Sequence, residues 1–172
     1  MSTRPILVYG DPLLEATNAP VERFDAELQR LVDELFETGW RAPGLGLAAP
    51  QIGVNLRLAT VDLSVGKDPD QKIVLANPEI IETSGQISLE EGCLSFPGLF
   101  TTITRPRELV VRAQDVDGAI CEIEASGLLA QAICHEVDHL DGRLLVHHLR
   151  GIKKKMFLRR VAKMKKTGVW DT

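Results

Sequence analysis

The stretch QAICHEVDHLDG, residues 131–142, sets two histidines four residues apart with a glutamate directly after the first. On a helix, side chains at i and i+4 are neighbours with Cβ atoms roughly 5–6 Å apart. His135 and His139 can therefore aim ring nitrogens at one ion, at metal–nitrogen distances of about 2 Å. Glu136 lies about 100° further round the helix, outside that coordination shell but within reach of water beside a metal. Two ligands and a general base on one turn is the logic of the H-E-x-x-H pattern. The same five residues also arise by chance on helix surfaces, so the pattern needs support elsewhere in the chain. Its setting gives some: the surrounding helix is largely apolar, and ionisable groups buried there need partners that a metal can supply.

A catalytic centre requires a third ligand and an open position. Downstream, Asp141, His147 and His148 do not reproduce the spacing H-E-x-x-H-x-x-G-x-x-H. Upstream, SLEEGCLSFPG at 88–98 holds Cys93 in a short, turn-rich stretch where a side chain can be aimed inward. A thiolate there suits iron, zinc or nickel. The commoner fate of a cysteine is a small, buried apolar residue.

The elements that must position these groups follow from periodicity. Residues 20–38 (PVERFDAELQRLVDELFET) predict a helix, with Phe24, Leu28, Leu31, Val32, Leu35 and Phe36 at spacings of three and four and Gly39 as its stop. Residues 42–55 (APGLGLAAPQIGVN) are too rich in Gly and Pro for a helix and read as a loop. Strand-like runs follow at 56–63, 72–81, 108–116 and 119–125, the last two separated by the Asp117-Gly118 turn signal. Ser126 is then a candidate N-cap for the histidine helix, Leu128, Leu129, Ala132 and Ile133 form its apolar stripe, and Gly142 ends it. Strands in the middle with helices at either end predict an α+β fold: mainly antiparallel sheets around a central metal-binding helix, with N-terminal and C-terminal helices.

A chain of 172 residues is about one domain's worth, and 44% hydrophobic with 26% charged residues is an ordinary globular mixture. It has no run of roughly 18 apolar residues, which excludes a spanning helix. Asp11 and Pro12 interrupt the N-terminus too early for a secretory signal. Three cysteines, Cys93, Cys121 and Cys134, fit a reducing, cytoplasmic setting better than a disulfide framework. The net charge of −4 argues against a general DNA binder, yet residues 150–166 (RGIKKKMFLRRVAKMKK) carry nine of the 20 Lys and Arg and no acid. The remaining 11 basic and 24 acidic residues leave the rest of the chain near −13. Leu149, Ile152, Met156, Phe157, Val161 and Met164 recur at helical spacing there, so this segment reads as an amphipathic helix with a cationic face. Its plainer role is a solvated face; its sharper one is docking on ribosomal RNA. On that reading, removing residues 150–172 weakens ribosome binding and spares activity on a short peptide.

Three stretches in order, GLGLAAPQ at 44–51, EGCLS at 91–95 and HEVDH at 135–139, resemble the signature motifs GxGxAAxQ, EGCLS and HExxH of the peptide deformylases. The resemblance extends from about Ile6 through Leu149. It implies one catalytic domain over residues 1–172, with 150–166 as its basic C-terminal helix. It implies Cys93, His135 and His139 as metal ligands, Glu136 as catalytic acid and base, and Gln51 as an oxyanion partner. It also implies one Fe²⁺ per chain, for which Zn²⁺, Ni²⁺ or Co²⁺ can substitute. The substrate it implies is the N-formylmethionyl end of a nascent polypeptide, which yields formate and a free amine.

The residues make chemical sense of that reaction. A metal with three protein ligands holds water in its fourth position and lowers the water's pKa toward neutrality. Glu136 can accept the water proton and return it to the leaving amine. The Gln51 amide and the backbone N–H of Leu94 can meet the charge that develops on the formyl oxygen. Gly46 lets the loop backbone approach an extended peptide, and Leu45, Leu128 and Ala132 are wall candidates for a methionine pocket. Gln131 and Cys134 depart from the resemblance, which leads one to expect an aliphatic residue and a glutamine there. Two other readings use the same helix: an HExxH metallopeptidase, or a catalytically silent ribosome-associated protein with a structural metal.

Overall fold

Asp25 opens the first helix by accepting from the backbone N–H groups of Glu27 and Leu28. In the computed structural model, which describes residues 3–170, this helix, α1, runs over Ala26–Arg41. It passes through Gly39 rather than stopping there. One helical glycine costs only about 1 kcal/mol, whereas Pro43 disfavours the helical conformation at Ala42, where the helix does end.

The stretch expected as a loop holds a short strand, β1 (Gly46–Ala48), and a 3-10 turn over Ala49–Ile52. β2 (Leu58–Val61) and β3 (Ile73–Ser84) follow. The chain then makes a hairpin that periodicity did not predict, β4 (Ile87–Gly92) and β5 (Phe100–Arg105). β6 (Glu108–Gln114) and β7 (Ile120–Ser126) close the strand set. Five strands form one antiparallel sheet in the order β1-β2-β3-β6-β7, and β4-β5 stands as a separate pair. The α+β class and the antiparallel sheets are as the sequence predicts.

The histidine helix, α2 (Gly127–Leu140), packs against β1, β2 and β7. Ala130, Ile133, Val137 and Leu140 are buried with Val61, Leu75 and Val111 of the sheet. Ser126 holds the N-cap position, but its side chain makes no capping hydrogen bond. Past the helix, Gly142 has φ +68°, and a Cβ there would meet the carbonyl oxygens of Glu15 and Ala16 at 2.9–3.0 Å, so only glycine fits.

The basic helix α3 spans Gly151–Lys166. Its buried face is narrower than the spacing suggested: Phe157 and Val161 are inside, while Ile152 and Met156 are 72% and 57% exposed. Phe157 reaches the ring of Phe96, centroids 5.6 Å apart, and Trp170 meets the same ring at 6.1 Å. Tyr9 stacks on it from another side at 4.9 Å. Deleting residues 150–172 would therefore strip the support of Phe96, three residues after Cys93, and would not test docking alone.

Candidate metal centre

Cys93 lies in the connection between β4 and β5, where Phe96 N–H donates to the Cys93 carbonyl at 2.8 Å and tightens the turn. That turn delivers the sulfur to α2. Cys93 Sγ is 3.3 Å from His139 Nε2, which is 3.2 Å from His135 Nε2. One ligand atom from each of the three residues lies within 4.8 Å of the others. Atoms bound tetrahedrally at 2.0–2.3 Å from one ion stand roughly 3.3–3.7 Å apart, so the spacing suits a single metal.

Electrostatics favours the same assignment. Burial pushes the Cys93 thiol up, but His139 and His135 beside it outweigh that and hold it down to about 5. The thiolate is the ligating form of cysteine. Glu136 Oε2 is buried without a hydrogen-bond partner. An orphaned carboxyl oxygen of this kind, beside three converging soft and borderline donors, fits a centre completed by a cation and its water.

Glu136 is 3% exposed, and burial raises its carboxyl to about 7 against the pull of His135 and His139. Gly46 makes room for it: a Cβ at that position would come within 2.5 Å of Glu136 Oε1. Gln51 is fixed at both ends of its amide. Its Oε1 accepts from Ala48 N–H at 2.9 Å, and its Nε2 donates to Ser95 Oγ at 3.1 Å while standing 3.8 Å from Cys93 Sγ. The backbone N–H of Leu94 enters none of the hydrogen bonds among the described residues.

A cavity of about 850 Å³ opens onto this cluster. Leu45, Gly46, Gln51, Cys93, Leu94, Leu128, Ala132, His135 and Glu136 all border it, and His139, 1% exposed, lies behind. Sequence reasoning thus gathered one neighbourhood, but it missed the residues that brace it. Arg105 donates twice to Glu91, at 3.0 and 2.7 Å, and once to Asp138 at 2.6 Å. Glu91 in turn lies 3.3 Å from His135 Nδ1, and Asp138 lies 2.6 Å from His148 Nε2. Burial would raise both carboxyls, yet the pairings hold each near 2: His135 and Arg105 act on Glu91, His148 and Arg105 on Asp138. Ser95, fully buried, was missed as well. Glu91, Ser95 and Asp138 lie inside the quoted stretches EGCLS and HEVDH, but their roles, like those of Arg105 and His148, depend on partners ten or more residues away. His147 belongs elsewhere: its Nδ1 accepts from Leu144 N–H and its Nε2 lies 3.0 Å from Glu15.

Comparison with known proteins gives one answer throughout. The family model described as polypeptide deformylase matches residues 3–155. A curated protein named peptide deformylase from Acidobacterium capsulatum is 46% identical over 170 residues, 99% of this chain and all of that one. Another of that name, from Hydrogenovibrio crunogenus, is 47% identical over 166 residues, 96% of this chain and 95% of that one. The crystal structure of a peptide deformylase from Legionella pneumophila superposes with a TM-score of 0.91 at 42% identity, covering 98% of each chain.

Proposed function

We propose a mechanism from the premise that this chain belongs to the polypeptide deformylase family. It is a metal-dependent hydrolase that removes the formyl group from the N-terminal formylmethionine of nascent polypeptides and releases formate. Neither the peptidase nor the silent-protein alternative is favoured by the family or the fold. The observation that carries the mechanism is the meeting of Cys93, His135 and His139 with a buried, unpartnered Glu136 at the wall of one cavity.

Cys93, His135 and His139 would hold the metal, which supplies Lewis acidity to water and to the formyl carbonyl. We assign it as Fe²⁺, one per chain, with Zn²⁺, Ni²⁺ or Co²⁺ as substitutes; one thiolate and two imidazoles suit this group of ions. Glu136 takes the proton of the attacking water at Oε2 and passes it to the departing amine, a role for which a carboxyl near neutrality is suited. The Gln51 side-chain amide, giving up its long hydrogen bond to Cys93 Sγ, and the N–H of Leu94 would meet the charge on the formyl oxygen. Gly46 serves twice, leaving room for Glu136 and letting the β1 backbone lie close to an extended peptide. Leu45, Leu128 and Ala132 receive the first side chain.

The chain acts as one catalytic domain in the cytoplasm, and no helix among the described residues is long and apolar enough to cross a membrane. Residues 150–166 dock it on ribosomal RNA through the exposed cations of α3. Charge reversal of exposed lysines on α3 tests this without disturbing Phe157: ribosome affinity should fall and its salt dependence flatten, and unchanged affinity would sink it. The chemistry is tested by assaying formate release from a formyl-Met peptide on protein purified without oxygen, with bound metal quantified in the same sample. Formate release should track metal content; stoichiometric metal without formate would refute the mechanism.

A further inference from the structure

One polar group on the cavity wall has no part in the mechanism above. Gln131 is 4% exposed, and its side-chain Nε2 is buried with no hydrogen-bond partner. An unpaired buried amide is costly, and in a native structure it requires an explanation. The other buried polar groups on this wall are accounted for: Glu91 pairs with Arg105 and Gln51 with Ser95, while Glu136, itself unpartnered at Oε2, is assigned the proton transfer. Beside Gln131 the wall is apolar, with Leu45, Leu128 and Ala132.

Position supplies the explanation. Gln131 and His135 are four residues apart on α2 and share a face. They are separated by about one helical turn, ~5.4 Å, roughly the reach of an extended methionine side chain. With the formyl carbon beside the ligands and Glu136, a first side chain running along this face would bring its distal atoms to Gln131.

We propose that Gln131 is a specificity-determining residue whose side-chain amide donates a hydrogen bond to an acceptor in the substrate's first side chain. The inference rests on the deformylase reading and names the substrate class more closely. Favoured substrates are N-formyl peptides whose first side chain has methionine's length and carries an acceptor. The thioether sulfur is a weak acceptor and the sulfoxide oxygen of oxidised methionine a stronger one. A hydrocarbon of equal length leaves the amide unpaired and is disfavoured.

The test compares kcat/KM for formyl-Met, formyl-norleucine and formyl-methionine-sulfoxide tripeptides on the metal-loaded protein, then on Gln131→Leu and Gln131→Met. Ratios within one protein do not depend on metal loading or folded fraction. The unsubstituted protein should favour methionine over norleucine by roughly threefold and the sulfoxide over norleucine by about tenfold. Both variants should bring the sulfoxide preference down to one or below. If neither variant folds, the ratios of the unsubstituted protein decide alone. Ratios near one before substitution, or ratios that the substitutions leave unchanged, would overturn the inference while leaving the deformylase reading intact. No formate from any of the three peptides would overturn that reading and the inference with it.

Discussion

α2 and the β4–β5 turn bring ligands to the same centre but are fixed by different forces. α2 lies in the apolar core, where Ala130, Ile133, Val137 and Leu140 are almost fully buried, so packing sets the direction of His135 and His139. The turn that carries Cys93 packs into a second cluster, where Phe96 and Leu99 are buried with Leu14, Leu144 and Phe157. Phe96 is wedged among Tyr9, Phe157 and Trp170, Ser95 is tied to Gln51 and to Tyr9 N–H, and Arg105 fastens the hairpin to α2 through Glu91 and Asp138. The helix ligands ride on one continuous packed element, whereas the ligand on the turn depends on a scaffold drawn from several elements. Here that scaffold recruits the N-terminal segment, β5 and the basic helix.

The comparison breaks first at Cys93. Cys93→Ala should leave α2 folded, with circular dichroism little changed, while bound metal and formate release both fall to background. Retained metal with full turnover would mean that the helix alone makes the centre. Next, Arg105→Met strands two buried carboxylates on opposite sides of the joint. Removing one partner of a buried ion pair costs about 3–5 kcal/mol, so the thermal midpoint should drop by on the order of 10 °C. A midpoint within about 2 °C of the unsubstituted protein would show that the joint carries no load. Gln51→Ala sharpens the chemistry rather than the frame. Loss of one oxyanion donor should lower turnover about 10²–10³-fold with metal content held, and an equal loss of metal would recast Gln51 as a support for Cys93.

The same contrast explains what could be read in advance. α1, β2, β3, β6, β7 and α2 follow apolar patterns, and so does the histidine pair that α2 presents. The β4–β5 hairpin does not, because its inward residues include Glu91, Thr101 and Arg105 while Phe100 faces out at 54% exposure. A strand that buries charge and exposes an aromatic ring defeats a hydrophobic pattern, and its buried charges are tolerated because Glu91 and Arg105 satisfy each other. Cys93 accordingly enters through its motif and not through periodicity. In α3 the apolar spacing predicts a wider buried face than the helix has: Phe157 and Val161 are inside, whereas Ile152 and Met156 remain in solvent.

The central claim is that three side chains hold the metal and Glu136 moves the proton. Glu136→Gln tests it most directly, with metal content and formate release measured on one anaerobic sample. The account predicts undiminished metal and a rate lowered by about 10²–10⁴-fold, the usual worth of a positioned acid–base group. Turnover near that of the unsubstituted protein would contradict it.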